Sequence, residues 1–332
     1  MIECIFTIDY EIYGNGGGSL SELVYGPAKR LTAVFRKWNA RFVVFVEVAE
    51  LEMIEAQGTD LTIDLIKQQI QDLHRRGFEL GLHIHPQWYK ARYEGGRWLL
   101  DYGEYNLCTL PLDRIVQIVD RSIAYFRDVL DLADFTPFAF RAGNWLFQPT
   151  KSAASVLAAR GIKVDSSVFK GGLQHQHKLD YRRALRNGPH WRFTDNVNVP
   201  EPEGMLLELP IHTEMAPTWK LFTPKRLRLQ KKASSSKQNA EGRLYRLTDF
   251  LRFSHPLKLD FCRMTIDELR RMVNRVIQEV QQDPTLFRPI VAIGHTKDLV
   301  DFDTVEKFLS YLKKKEIRIS TFKDVYPKCN PC

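Results

Sequence analysis

Strand-length apolar runs recur along this chain, alternating with segments of helical periodicity, and several runs end abruptly on an acid or a histidine. Continuous apolar runs of this kind mark strands buried on both faces, as in a parallel sheet covered by helices. The first is Ile2-Glu3-Cys4-Ile5-Phe6-Thr7-Ile8, and a helix is predicted around 26–38. Next come Arg41-Phe42-Val43-Val44-Phe45-Val46 and a helix over 61–76, where Leu61, Ile63, Leu65, Ile66 and Ile70 give an apolar stripe. Residues 78–83 read as a third strand, and a helix near 111–130 carries Ile115, Ile118, Val119, Ile123 and Phe126 at helical spacing. Strand 138–141, helix 149–160 and strand 162–164 follow. After a break the rhythm resumes with helix 265–282, strand 290–294, helix 303–314 and strand 317–319. Repeated βα units predict a parallel α/β barrel, with an open doubly wound sheet as the alternative.

Two of the strand ends carry chemistry. Asp9-Tyr10-Glu11 closes the first, and His83-Ile84-His85 closes the third, where Pro86 stops the strand. In a strand, residues i and i+2 face the same side, so Asp9 points with Glu11 and His83 with His85. If these ends are neighbours, two imidazoles and a carboxylate form an open ligand set for a divalent metal, and the second carboxylate is left to act as a base. His175-Gln176-His177 repeats the spacing without a preceding strand and reads as loop. The glycines at 14–18 lack the GxxxxGK[ST] pattern and read as a flexible loop over the pocket.

The stretch 170–260 breaks the alternation, with strand-like pieces at 191–199 and 205–212 and then a basic segment. Between Lys220 and Arg246 there are nine Lys and Arg against one acid, Glu241. This predicts an insertion, with a basic loop at 220–246, inside a single catalytic domain over 1–325, and a tail at 326–332. His212 ends the second strand-like piece and is a candidate to line the pocket.

The net charge of the 332-residue chain is +8, which favours an anionic partner such as a phosphate-linked molecule or an anionic membrane surface. No apolar run approaches the roughly 20 residues needed to span a bilayer, and Met1 opens directly into a strand. Together with five scattered cysteines, this predicts a cytoplasmic protein with reduced thiols. No zinc-finger, RRM or helix-turn-helix signature is present, so no nucleic acid is expected.

The ordered motifs resemble those of the polysaccharide deacetylase family, the NodB-homology carbohydrate esterases. The matching segments are Thr7-Ile8-Asp9-Tyr10-Glu11, His83-Ile84-His85-Pro86, Arg141-Ala142-Gly143-Asn144-Trp145, Asp165-Ser166-Ser167 and Gly294-His295. The resemblance covers residues 1–170 and 260–325 and implies a distorted (β/α) barrel. It departs from the family pattern at Tyr10, where a second Asp is usual, and at Gln87, where the common His-x-x-x-His motif has its second His.

By this resemblance Asp9 is the general base, Glu11, His83 and His85 hold the metal, and Arg141 pairs with Asp9. His295 is the general acid, and Asp165 is a candidate to orient or tune it. The backbone near Asn144 and Trp145 would help bind the oxyanion, while Trp88, Tyr89 and Trp145 offer flat faces to a sugar ring. Two nitrogens and one oxygen suit zinc, with cobalt or nickel also fitting. The implied activity is metal-dependent removal of an N-acetyl group from a sugar, in the synthesis of a glycan precursor such as that of lipopolysaccharide or capsule. A deformylase acting on a nucleotide- or lipid-linked sugar and an inactive carbohydrate-binding member of the same fold are the alternatives.

Overall fold

The computed structural model describes residues 1–221, 223–225, 253–283 and 285–329. Most of the basic loop expected at 220–246 therefore lies outside the described residues, as does the very end of the expected tail. Nine strands form one curled sheet. From one edge their order is Trp191–Phe193, Leu206–Glu208, Val164–Asp165, Ala139–Ala142, Glu79–Ile84, Val43–Glu47, Ile2–Tyr10 and Arg288–His295, with Arg318–Ile319 also paired to Ile2–Tyr10. All neighbours run parallel except Trp191–Phe193, which is antiparallel to Leu206–Glu208. Single parallel bridges from Ile211 to Phe169 and Val291, and from Asp260 to Ile293, carry the chain across to the opposite edge. The result is the distorted (β/α) barrel, closed on one side by bridges instead of a continuous ladder.

Strand alternation sorts the buried side chains into two sets. Cys4, Phe6, Ile8 and Tyr10 face the helices and join the large core cluster. Ile5, Val43, Phe45, Ala139, Val164, Leu207 and Val291 face inward and fill the barrel. Counting two residues onward along these inward rows gives Thr7 and Asp9, Glu47, and Arg141. The barrel is apolar below and polar at the C-terminal rim for that reason. Gly81 belongs to the same inward row, and a Cβ there would stand 2.7 Å from the Phe45 ring. Its lack of a side chain is what lets Phe45 fill the interior.

The helices follow the predicted order at Gly26–Lys37, Ile63–Arg75, Leu112–Leu130, Lys151–Ala159, Ile266–Gln282 and Phe302–Lys314. One was not foreseen, Val48–Gln57, in which Val48, Ala49, Glu50, Leu51, Met53 and Ile54 are all buried. Enclosed on most sides, it shows no single apolar stripe for periodicity to detect. The strand-like pieces shrink to Trp191–Phe193 and Leu206–Glu208, the second ending before Pro210, which cannot donate to a ladder. Helix Phe322–Cys329 runs into the stretch expected as a tail. Among the described residues no helix is long and apolar enough to cross a membrane.

Candidate active site

The parallel register puts Asp9 beside His295 on one side and Phe45 on the other, and Glu47 beside His83, which in turn pairs with Arg141. The strand ends expected to converge do so. Glu11 Oε2 lies 3.5 Å from His83 Nε2 and 3.1 Å from His85 Nε2. His85 Nε2 nevertheless makes no well-aligned hydrogen bond there. Glu11, Glu47, His83 and His85 are all buried and offer ligand atoms within 4.8 Å of one another; Asp9, Glu11 and His295 form an overlapping group by the same measure.

Each ligand candidate is aimed by a neighbour. The Nδ1 of His83 sits 2.8 Å from the Arg141 carbonyl, to which Nδ1–H donates, so Nε2 is directed at Glu11. The Nδ1 of His85 is 3.2 Å from the side-chain amides of both Gln87 and Asn144. The buried Oε1 of Gln87 lacks a partner among the described residues. Turning that amide over would let Oε1 accept from Nδ1–H and free Nε2 as a ligand. Lys297 Nζ holds the outer oxygen of Glu11, Oε1, at 2.7 Å, so Oε2 is left toward the imidazoles. Gly143 is required for this arrangement, since a Cβ there would be 2.6 Å from the Ile84 carbonyl oxygen and 2.9 Å from the His85 ring. Tyr10 points the other way, donating to Gln69 Oε1 at 2.6 Å among the helices, so the departure at that position stays out of the site.

Asp9 and Arg141 are both buried and meet at 2.6 Å. Arg141 also donates to the Ser166 carbonyl at 2.9 Å and to Thr7 Oγ1 at 3.0 Å. Its guanidinium lies 4.1 Å from the centre of the Phe45 ring. The other oxygen of Asp9 is 3.3 Å from His295 Nε2. Burial pushes the Asp9 carboxyl up, but Arg141, then His83 and His295, hold it below its ordinary value. Burial likewise opposes the charge on Glu11, and Lys297 with the two imidazoles holds it well below the carboxylate range. His83 is pulled down by burial, yet Asp9, Glu11 and Glu47 bring it to about 9. Burial lowers His295 despite Asp9.

The remaining expected residues fall in several places. Asp165 accepts from Ser167 Oγ at 2.7 Å and is linked to Glu208, and burial raises its carboxyl. Through Ser167, whose Oγ accepts from the Ala142 amide at 2.8 Å, it braces the strand that carries Arg141. On the Nδ1 side of His295 the neighbouring carboxylate is instead Asp298, at 3.8 Å. Trp88 is buried and packs edge-on against Trp98, and Tyr89 is buried with its hydroxyl on Ser122. His212 donates its backbone amide to the Val291 carbonyl, lower in the barrel, and burial with Lys170 and Arg288 lowers its imidazole to about 4. Asn144 and Trp145 both adopt left-handed backbone, with φ of 54° and 60°. Such strain concentrates at functional sites. Trp145 also stands edge-on to His295, with ring centres 6.0 Å apart. Gly16, Gly17 and Gly18 line a cavity of about 680 Å³ with Ile12, Asp60, Tyr93 and Trp98.

Three residues were missed in the sequence. Glu47 closes its apolar strand as Asp9 and His83 close theirs, so the same rule would have found it. Lys297 follows His295 by two residues, the spacing already used twice. Lys258 carried no such signal. It ends a short strand, Ser254–Lys258, within the expected insertion, and its Nζ lies 3.0 Å from the Trp145 ring centre and 4.6 Å from that of Phe169. Among the described residues its ammonium makes no hydrogen bond or ion pair, and burial lowers it to about 7 although Asp260 opposes this.

The donors present suit a divalent ion. Two imidazole nitrogens and a carboxylate oxygen converge in a buried place, and among the described residues Nε2 of His85 and Oε2 of Glu47 are without hydrogen bonds. No family model matches the sequence, and no curated protein matches it. Solved structures are similar in fold. A protein assigned as a polysaccharide deacetylase from Mycobacterium smegmatis aligns at TM-score 0.52 and 14% identity, over 98% of this chain and 89% of its own. Another so assigned, from Pseudomonas aeruginosa PAO1, aligns at TM-score 0.52 and 12% identity, over 100% and 92%. A GH57 branching enzyme from Thermococcus kodakaraensis aligns at TM-score 0.56 and 10% identity, over 98% and 71%. At these identities the likeness is one of architecture, and that architecture is the polysaccharide deacetylase-type barrel.

Proposed function

We propose that this chain is a metal-dependent hydrolase that removes an N-acyl group, acetyl in the first instance, from a sugar. The observation that carries the reading is the meeting of Glu11, His83 and His85 within 4.8 Å, directly beside the Asp9–Arg141 pair. A divalent ion held by these three side chains, zinc or else cobalt or nickel, would polarise the acyl carbonyl and make water acidic enough to attack. Asp9, kept ionised by Arg141, accepts a proton from the attacking water. His295 donates a proton to the departing nitrogen as its bond to the acyl carbon breaks. Asp9 and His295 lie 3.3 Å apart, so the proton gained by one can reset the other. The net reaction consumes one water and yields a free amine and a carboxylate.

The finer reading concerns the sugar. The +8 charge of the chain and the Lys258 ammonium against Trp145 support a substrate with an anionic group, such as a phosphate-linked precursor of lipopolysaccharide or capsule handled in the cytoplasm at an anionic membrane surface. Trp145 offers its ring to the sugar. The test is release of carboxylic acid from N-acetylated and N-formylated sugars, free and phosphate-linked, by the metal-loaded protein and by Asp9→Asn. Acetate release that Asp9→Asn abolishes supports the reading, and formate release alone selects a deformylase. Sugar binding without turnover in the metal-loaded protein leaves a carbohydrate-binding module in its place.

A further inference from the structure

Glu47 is fully buried at the C-terminal end of the strand Val43–Glu47, in register with His83 on the neighbouring strand. Its two oxygens have separate fates. Oε1 accepts from the Glu50 amide at 3.4 Å and caps the helix Val48–Gln57. Among the described residues Oε2 has no hydrogen-bond partner. A buried carboxylate oxygen left unpaired is costly, and such oxygens are normally matched by a donor or a cation. Glu47 belongs to the group whose ligand atoms, from Glu11, Glu47, His83 and His85, all lie within 4.8 Å of one another. Glu11 comes from just beyond the first strand, Glu47 from the second, and the two imidazoles from the end of the third, so three adjacent strands surround one point.

We infer that Glu47 is a fourth ligand of the metal, giving a set of two imidazoles and two carboxylates. This rests on the metal-dependent reading above and adds to it a residue that the expected three-ligand set lacks. The geometry assigns the work within the set. Glu11 keeps Oε1 on Lys297 and Glu47 keeps Oε1 on its helix cap, so each presents one oxygen, Oε2, to the ion. A second carboxylate also adds negative charge, which favours retention of a divalent cation in a site already lined by Arg141 and Lys297.

The experiment is calorimetric titration of the full-length metal-free protein with Co2+ and Zn2+, comparing the unaltered chain with Glu47→Gln and Glu11→Gln. Glutamine at 47 keeps the capping oxygen and removes the charge. The inference expects one ion per chain and an affinity loss of about tenfold or more for Glu47→Gln. Equal affinity of the unaltered protein and Glu47→Gln, with loss in Glu11→Gln, overturns the fourth ligand and leaves the metal reading intact. Failure of the unaltered protein to bind either ion overturns both. Should Glu47→Gln fail to fold, anomalous diffraction from cobalt-loaded crystals of the unaltered chain decides the matter. A Glu47 oxygen at about 2.0–2.2 Å from the ion is expected, and one well beyond coordination distance overturns the inference.

Discussion

Arg141 holds Asp9 with its guanidinium, at 2.6 Å, while its own carbonyl oxygen lies 2.8 Å from His83 Nδ1. One residue thus fixes the proposed base through its side chain and a metal-ligand candidate through its backbone. Ser166, Thr7 and the face of Phe45 take up the rest of the guanidinium. A displacement of this strand would misplace both halves of the site together.

Asp9→Asn should keep the shape of the site and remove the proposed base. Turnover is expected to fall by about 10²–10⁴-fold. Arg141 would lose its charge partner in a buried place, at a cost of roughly 3 kcal/mol of stability. Single-turnover kinetics and thermal melting on the same preparation measure both effects, and unchanged turnover would remove Asp9 from the mechanism.

Gly143→Ala introduces a Cβ into space 2.6 Å from the Ile84 carbonyl oxygen and 2.9 Å from the His85 ring. His85 must shift, so metal affinity should drop about 10–100-fold, with about 1–3 kcal/mol of destabilisation from overpacking. Titration with Co2+ beside a melting curve checks the prediction. A variant that binds as tightly as the unaltered chain shows that His85 does not need this contact.

Glu79 governs a pH dependence away from the site. Burial pushes its carboxyl up to about 7, against the Lys323 amide and Thr321. The folded state therefore keeps a proton that the unfolded chain gives up near its ordinary value of 4.5. Stability from this group is fully present below the unfolded value and is lost as pH rises to about 7, by an amount on the order of 3 kcal/mol. Glu79→Gln should flatten that decline and be more stable than the unaltered protein at pH 8. Denaturant melts at a series of pH values, compared between the two, would show parallel curves if Glu79 plays no such part.

Lys258, lowered to about 7 by burial against the opposing Asp260, is charged below that value and neutral above it. If it receives an anionic group of the substrate, KM for a phosphate-linked sugar should rise as pH passes upward through about 7, with kcat changing less. Lys258→Met should show the high KM at every pH, and Lys258→Arg should stay low to higher pH. A KM insensitive to all three conditions excludes the contact.

The barrel itself could be read from the chain because each element announces itself locally. Val43–Glu47 is an unbroken apolar run up to its last residue, Glu79–Ile84 follows a helix with an apolar stripe and is buried throughout, and Leu112–Leu130 keeps one apolar stripe. Helix Val48–Gln57 escaped because it is buried on most sides, and the second strand-like piece near 205–212 was cut short by Pro210. Asp9, Glu11, His83 and His85 could be found for a different reason: two residues of spacing in a strand fix a shared direction without any knowledge of the neighbours.

What the sequence determined by itself was direction: which strand ends carry ligand-type side chains, and which pairs of them point together. Only the tertiary structure decided distance, because register between strands far apart in the chain depends on how the whole sheet curls. That curl brings Glu47 level with His83, turns Asp165 to Ser167 and Glu208, and sets Asp298 next to His295. It also seats Lys258, from a segment with no periodic signal, on Trp145. Local periodicity obeys the geometry of one strand or helix, whereas contact between side chains hundreds of residues apart obeys the packing of all of them at once.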